Sequence, residues 1–524
     1  MKKVLLILKD SQSLQAFLLY IALVSLFYSP VVFFGKTLHP SLYQPHGVVE
    51  GWPYGYEGRK PVNVFNVNLG VAYDDWPKNK LIGDIYRQGD IPLWDPYRAA
   101  GMPLAAEYAP KAFFPYQILQ NISPVISWDY FLLGRLLLAG FFTYLFLTLL
   151  GLSFPAAFLG GMFYMFSGTF VWFINFEYVT NVSMTIPFLL YCIEVLIKKK
   201  GYSGTALTAM AFGLVLLAGQ PEIALYVLFL GASYFIFRVL AAEYYNSLRR
   251  IILAHLKILL AFILGFGLSA MLIFPFLEFL EYSYNIHPPG GIMGITDPTS
   301  WDYAISIITP TVSEMPMDPD YITGRHGRVQ NISDNDNPFY YTVFPSNGEW
   351  DYIGGYSGVS PVYLLLLGLF IVLFLKRHPH KGKLIFFAGF GAFILLKNYG
   401  VWPFKLIGYL PLFDQVWSPR WASPVWTCGF AIAGAIGFDI VKDTFQGKVI
   451  REDSMPGRWH VRFFDRFNFK GIDFGINFKG IIQQNTLIVF ALSYWLALAT
   501  SYGGYKWWMR HILESPLTVA MKTS

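Results

Sequence analysis

Two adjacent carboxylates, Asp74 and Asp75, open the polar stretch that runs from Tyr73 to Tyr116 in an otherwise apolar chain. A carboxylate can remove a proton from an attacking hydroxyl when burial raises its basicity. In an extended chain, adjacent side chains point to opposite sides. The two aspartates are therefore expected to divide the work, one facing a substrate and the other orienting a cation or a backbone amide. Which of them is the base stays open at this stage, and taken alone such a pair in a loop is most often simply solvated.

The same stretch continues through Gly89-Asp90-Ile91-Pro92-Leu93-Trp94-Asp95-Pro96-Tyr97 and Gly101-Met102-Pro103. Its proline and glycine density predicts a rigid, non-repetitive loop with pre-set turns. Trp94, Pro96 and Pro103 are expected to act as a structural plug packed on the mouths of neighbouring spans. Arg98 is within reach of a phosphate, although an exposed loop arginine is usually just hydrated. A short helix is expected over Asn79 to Gln88, with Gly89 as its stop signal.

Ionisable residues at the edges of apolar runs are informative because burying them in lipid is costly. Arg135, Lys397, Lys405 and Arg420 fall at one end of their runs, and Glu222 lies in the hairpin Gly219-Gln220-Pro221-Glu222. Together they predict an anion pocket suited to a lipid-linked phosphate or diphosphate. The rival reading is snorkelling to headgroups. A later polar stretch holds Glu278, Glu281, His287, Asp302, Glu314, Arg325, His326, Glu349 and Asp351, with no His-x-x-x-His or comparable metal spacing. A phosphate-cradling P-loop and a Gly-x-Ser-x-Gly elbow are also lacking, which leaves ATP-driven transport and serine hydrolysis without support. Asn331-Ile332-Ser333 fits the glycan-acceptor pattern, which is common by chance.

The elements that must position these residues are membrane spans. Of 524 residues, 55% are hydrophobic and only 14% charged, against about 25% charged in soluble domains. Apolar runs of span length lie at about 14–34, 130–150, 155–174, 179–197, 205–218, 223–240, 251–276, 359–375, 384–396, 422–441 and 486–501. The expectation is an all-α polytopic membrane protein of about eleven spans, with the first span retained rather than cleaved. Two large polar loops, 35–127 and 277–358, interrupt a transmembrane region covering 1–440. A basic segment follows at 441–485, then a last span and tail at 486–524. Lys198 to Lys200, Arg238, Arg249, Arg250, Lys376, Arg377, Lys381, Lys383 and the basic segment all fall on one side. The bias of Lys and Arg towards the cytoplasm puts that side and the N-terminus inside, and both large loops outside. This is a plasma-membrane arrangement. The net charge of +6 fits the same bias, and no basic–aromatic soluble domain points to nucleic acid. The two cysteines, Cys192 and Cys428, lie in apolar runs and support neither a disulfide framework nor a Cys-based metal site. The five-residue piece at 468–472 recurs at 477–481, and no longer repeat of the kind that builds inverted-repeat transporters is found.

Four stretches, in order, resemble a known family. IPLWDPYRAAGMPLAAEYAPKAFFPY is similar to the "G-x-x-P-L-W-N-P-Y … G-x-P … F-x-P" loop of the bacterial YfhO-like membrane proteins. Gly219 to Tyr226, YIGGYSGVSP from Tyr352 to Pro361, and LPLFDQVWSPR from Leu410 to Arg420 fit the same family, so the resemblance covers roughly residues 10 to 440. It implies a GT-C-like bundle and a glycosyltransferase that uses a polyprenyl-phosphate sugar on the outer face. The acceptor would be an envelope polymer, lipid or protein. Asp74 or Asp75 corresponds to the family's first-loop acid, and Arg420 to its arginine. The chain departs from the pattern in three places. Asp75 nearly abuts Pro77, Asp95 replaces the common Asn, and Arg420 follows its Ser-Pro directly.

On this reading one aspartate is the base, and Arg98, Arg135, Glu222, Lys397 and Arg420 form the substrate and phosphate site. A divalent ion (Mg or Mn) is an open expectation, with no metal ligand assigned. The alternatives are a lipid-linked precursor transporter or flippase and an inactive scaffold for envelope assembly.

Overall fold

The computed structural model describes residues 11–38, 71–199, 201–241, 248–283, 289–291, 294–295, 298–308, 353–374 and 378–446. The expected basic segment beyond residue 446, the last span, the short repeat, Asn331 and most of the second polar loop lie outside the described residues.

The described chain is mostly helical. Its principal helices are α1 (Ser11–Phe27), α2 (Trp76–Arg87), α3 (Pro115–Ile122), α4 (Trp128–Leu149), α5 (Phe154–Met165), α6 (Glu177–Lys198), α7 (Ser203–Leu217), α8 (Pro221–Leu240), α9 (Leu248–Tyr282), α10 (Val359–Phe374), α11 (Lys381–Asn398) and α12 (Ser423–Phe445). Among the described residues, five helical stretches are long and apolar enough to cross a membrane: α4 with the short turn before it, α6, α8, α9 and α12. Shorter apolar helices stand at α1, α5, α7 and α10. The run expected at 155–174 is split. Its helix ends at Met165, and a separate turn, Gly168–Val171, follows where the Gly168 amide bonds the Tyr356 carbonyl at 2.8 Å. That tertiary hydrogen bond satisfies an amide that a continuous helix would have bonded internally.

Burial separates central from peripheral helices. The apolar windows of α6 and α12 are 89% and 94% buried within the protein, whereas that of α9 is 22% buried. α9 lies along α7 and turns Leu256, Leu259, Ile263 and Phe274 outward, as expected of a lipid-facing helix. Around the centre, α4 packs on α5 and α6, and α10 and α11 pack on α12. The α10–α12 crossing is set by glycine. A Cβ on Gly437 would lie 2.2 Å from the Leu364 carbonyl oxygen, and one on Gly368 2.6 Å from the Gly437 Cα. Small residues allow such close backbone approach where lipid supplies no hydrophobic drive. Gly437→Leu is expected to force these helices apart at a cost of about 1–3 kcal/mol. A fall in the apparent unfolding temperature of the detergent-solubilised protein checks this.

The loop that carries the acids is built on these spans. After α1, the Leu38 amide and the Thr37 hydroxyl bond Asp129 at the start of α4 (2.8 and 3.0 Å). α2 begins one turn earlier than expected, at Trp76 with Pro77 in its first turn, and runs straight on from a helical turn at Val71–Asp75. Asp74 and Asp75 are therefore helical, not extended. They still diverge, because successive helical residues point about 100° apart. The Trp94–Asp95 and Met102–Pro103 segments pair as a two-residue antiparallel ladder, Trp94 opposite Pro103. The expected plug is not seen: Trp94 is 54% exposed and lines a groove against α2.

Candidate functional site

α6 is the axis of the site. Its first residue, Glu177, is buried and accepts hydrogen bonds from Asn79 Nδ2 (2.6 Å), Gln117 Nε2 (2.9 Å) and Gln120 Nε2 (2.5 Å). The other ends of the same two glutamines accept from Arg135 Nη2 at 2.8 and 2.7 Å. Each glutamine therefore bridges a buried anion to a buried cation, the arrangement that makes burial of both tolerable. Arg135 also donates Nε to Asn181 (2.7 Å) and Nη1 to the Phe131 carbonyl (3.1 Å). Its guanidinium, 5.0 Å from the Tyr116 ring, is fully buried. Every nitrogen of Arg135, expected as a phosphate ligand, bonds within the α3–α4–α6 junction, where the side chain acts as a strut.

Lys111 approaches the Glu177 oxygen that Asn79 and Gln117 also bond. Its side chain is fully buried, with Nζ 3.5 Å from Glu177 Oε2 and 3.7 Å from Asp75 Oδ1. The lysine stem passes Gly219, where a Cβ would lie 2.2 Å from Lys111 Cγ. Gly219 also has φ +110, a conformation that L side chains rarely adopt. The Gly219-Gln220-Pro221-Glu222 hairpin therefore makes room for the ammonium. The buried charges balance in pairs: Glu177 and Asp75 against Lys111 and Arg135.

Asp75 is the buried member of the acidic pair, with 12% of its side chain exposed. Burial pushes its carboxyl up to about 6. Lys111 opposes that rise, Glu177 and Asp74 add to it, and Lys78 opposes it weakly. Asp74 faces elsewhere. It pairs with Lys78 at 2.7 Å, and Lys78 pairs in turn with Glu107 at 2.5 Å. Arg98 donates to Glu107 (2.7 Å) and lies 3.6 Å from Asp74. Asp74, Lys78, Glu107 and Arg98 form a second cluster, in which Lys78 and Glu107 are buried while Asp74 and Arg98 reach the surface, and Asp75 belongs to the first.

Tyr178, the second residue of α6, connects Asp75 to the later motifs. Its ring lies 5.8 Å from Lys111 Nζ and 6.4 Å from the Trp421 ring, and the Arg420 guanidinium sits 4.5 Å over Trp421. Asp75 and Arg420 both act electrostatically on Tyr178, and Arg420 on Glu222. Arg420 belongs to the turn Ser418–Trp421, which is anchored by Lys397: the Lys397 ammonium donates to the Ser418 hydroxyl, which donates to Asn398 Oδ1 at 2.6 Å. The structure thus gathers Asp75, Arg420, Glu222 and Lys397 around the first turns of α6 and α8, and places Asp74 with Arg98 apart from them.

Glu177, Lys111, Lys78 and Glu107 went unread in the sequence. Glu177 carried a usable signal, since it opens an apolar run as Arg135 does. Lys111 carried none, because its loop position gives no hint that it is buried. Among the described residues, no group of three or more His, Cys, Asp and Glu side chains converges for a metal. Asp74 and Asp75 turn to different lysines, Lys78 and Lys111. The positive charge between Asp75 and Glu177 is the Lys111 ammonium.

No protein family's sequence profile matches the chain, and no curated protein does. Among solved structures, the chain is similar to the archaeal oligosaccharyltransferase AglB from Archaeoglobus fulgidus, determined with an inhibitory peptide and a dolichol-phosphate, at 14% identity and a TM-score of 0.36. The similarity covers 94% of this chain and 56% of that one, so the chain spans little more than half of that neighbour's length.

Proposed function

We propose that the chain is a membrane glycosyltransferase of the GT-C type. It moves a sugar from a polyprenyl-phosphate donor to an envelope acceptor on the outer face of the plasma membrane. The observation that carries this reading is Asp75, a buried carboxyl with raised proton affinity, joined through Tyr178 and Trp421 to Arg420 at one end of a bundle of apolar helices. Asp75 takes the proton of the acceptor hydroxyl as that oxygen bonds the sugar's anomeric carbon. The bond from that carbon to the donor phosphate breaks, and the phosphate leaves with the electron pair. Arg420 meets the charge that develops on the phosphate; preorganised cations favour the transition state over the ground state. Lys397 holds the Arg420 turn through Ser418, and Glu222 lies within electrostatic range of Arg420. Arg98, at the surface with Asp74, stands where the acceptor enters.

The test uses purified protein in detergent with a synthetic polyprenyl-phosphate sugar and an envelope extract as acceptor. Sugar-labelled product is expected. Absence of product together with movement of the same lipid across vesicles would establish the flippase alternative instead. Because Lys111 supplies the charge between the two buried carboxylates, transfer is expected to persist in a chelator. Loss in EDTA that Mg or Mn restores would overturn that role for Lys111.

A further inference from the structure

One groove takes no part in the chemistry assigned to Asp75 and Arg420. Between α2 and the Trp94–Tyr97 turn lies an open groove of about 830 Å3, lined by Trp76, Lys80, Asp84, Arg87, Trp94 and Tyr97 among others. Two of its walls are exposed aromatic side chains, Trp94 and Tyr97. Trp94 is 54% exposed, and its indole lies where a Cβ on Gly101 would be, 2.6 Å from that position. Gly101 is at φ +112, so the ring has a flat, side-chain-free bed. Tyr97 is 83% exposed, yet its amide bonds the buried carboxylate of Asp95 at 2.9 Å, which fixes the turn that presents it. The remaining walls offer both signs of hydrogen-bonding group. Asp84 pairs with Arg87 and lies 3.7 Å from Lys80, and Arg87 is tied to the Asn121 and Ile122 carbonyls at 3.2 and 3.1 Å.

Exposed rings on a fixed turn, beside a short row of donors and acceptors, suit one ligand chemistry. A sugar ring has an apolar C–H face that stacks on an aromatic plane, and a rim of hydroxyls that both donate and accept. Few side-chain rotors need ordering when the platform is already fixed, and a pocket of aromatic walls with a few placed polar groups is the usual form of a small-ligand site. We propose that this groove binds a saccharide chain, with Trp94 and Tyr97 as stacking platforms and Asp84, Arg87 and Lys80 as the hydroxyl-binding edge. Its role as the seat of the acceptor glycan rests on the glycosyltransferase reading, since the groove ends at Trp76, the residue after Asp75. Saccharide binding itself rests on the groove alone. An aromatic belt for lipid headgroups is the competing occupant; neither α2 nor the Trp94 ladder belongs to a candidate span.

The test is calorimetric titration of the full chain in detergent with a panel of tetrasaccharides built from glucose, galactose, rhamnose and N-acetylglucosamine. At least one member is expected to bind, with affinity reduced tenfold or more by Trp94→Ala and by Tyr97→Ala and only partly by Trp94→Phe. Both rings are exposed, so the variants are expected to fold, and retained gel-filtration behaviour verifies it. If no tetrasaccharide binds, if both alanine variants bind as the parent does, or if Trp94→Ala alters only association with phosphatidylglycerol vesicles, the groove is not a saccharide site. Saccharide binding that the variants abolish, in a protein that never yields transfer product, leaves the groove standing and removes the transferase reading. Transfer without any tetrasaccharide binding does the reverse.

Discussion

Replacing Asp75 with Asn is expected to lower sugar transfer by about 10²–10⁴-fold, the usual contribution of a positioned general base, while Asp74→Asn costs less than about tenfold. The two aspartates are neighbours in sequence but not in environment. Asp75 is 12% exposed and faces Lys111, whereas Asp74 is 47% exposed and paired with the buried Lys78. Losing Asp74 perturbs little because its own carboxylate is largely hydrated and the buried Lys78 keeps its pairing with Glu107. The Asp75→Asn variant keeps the shape of the side chain, and Lys111 retains Glu177, so normal abundance is expected. The pH profile offers a second check. Burial raises the Asp75 carboxyl to about 6, and the base must be deprotonated to act. Transfer should therefore rise with pH through about 6 and level off above it. The measurement is initial rate against pH with both single variants at matched protein levels. If Asp74→Asn rather than Asp75→Asn abolishes transfer, or the profile falls across that range, Asp75 is not the base.

The second large effect is expected at Lys111. Lys111→Met keeps an unbranched stem in the space beside Gly219 but removes the ammonium between Asp75 and Glu177. Lys111 holds the Asp75 carboxyl down against its burial, so its removal sends proton affinity upward. An opposite charge at this range accounts for about 1–3 pK units. The acid limb of the pH profile should move up by a comparable amount, leaving the variant poorly active at neutral pH and partly recovered in alkaline buffer. A cost in stability accompanies it. Removing one partner of a buried ion pair costs about 3–5 kcal/mol, and the lower end applies because Glu177 keeps its three amide donors. Lys111→Arg restores the charge but not the fit beside Gly219. It should recover the pH profile better than the stability. An unmoved acid limb in a folded Lys111→Met protein would show that Lys111 does not set the basicity of Asp75.

The two buried networks on α6 show how far local pattern reached. Glu177 and Glu194 are seventeen residues apart, about 25 Å along a helix. Glu194 is held at the far end of α6 by Arg238 (2.8 and 2.9 Å) and Tyr234 (2.7 Å). Sequence flagged Arg238 only as one of the basic residues used to orient the chain, and passed over both glutamates. A carboxylate inside or beside an apolar run is visible one residue at a time, but its partner is not, because Arg238 is 44 residues from Glu194 and Arg135 reaches Glu177 only through two glutamines of α3.

By itself the sequence determined that the chain is an apolar, mostly helical protein of membrane-spanning type, where most helices run, and that the Tyr73 to Tyr116 stretch with Arg420 and the Gly219–Glu222 hairpin are the places to look. These follow from local quantities: run length, proline and glycine positions, and the cost of charge in lipid. Only the tertiary structure decided which aspartate is buried, that Arg135 is tied into the α3–α4–α6 junction, and that Lys111 and Glu177 lie beside Asp75. Those outcomes depend on side chains from α2, α3, α4 and α6 meeting in a low-dielectric interior. There, pairing and desolvation set each residue's charge and proton affinity, and neither can be read along a single stretch of chain.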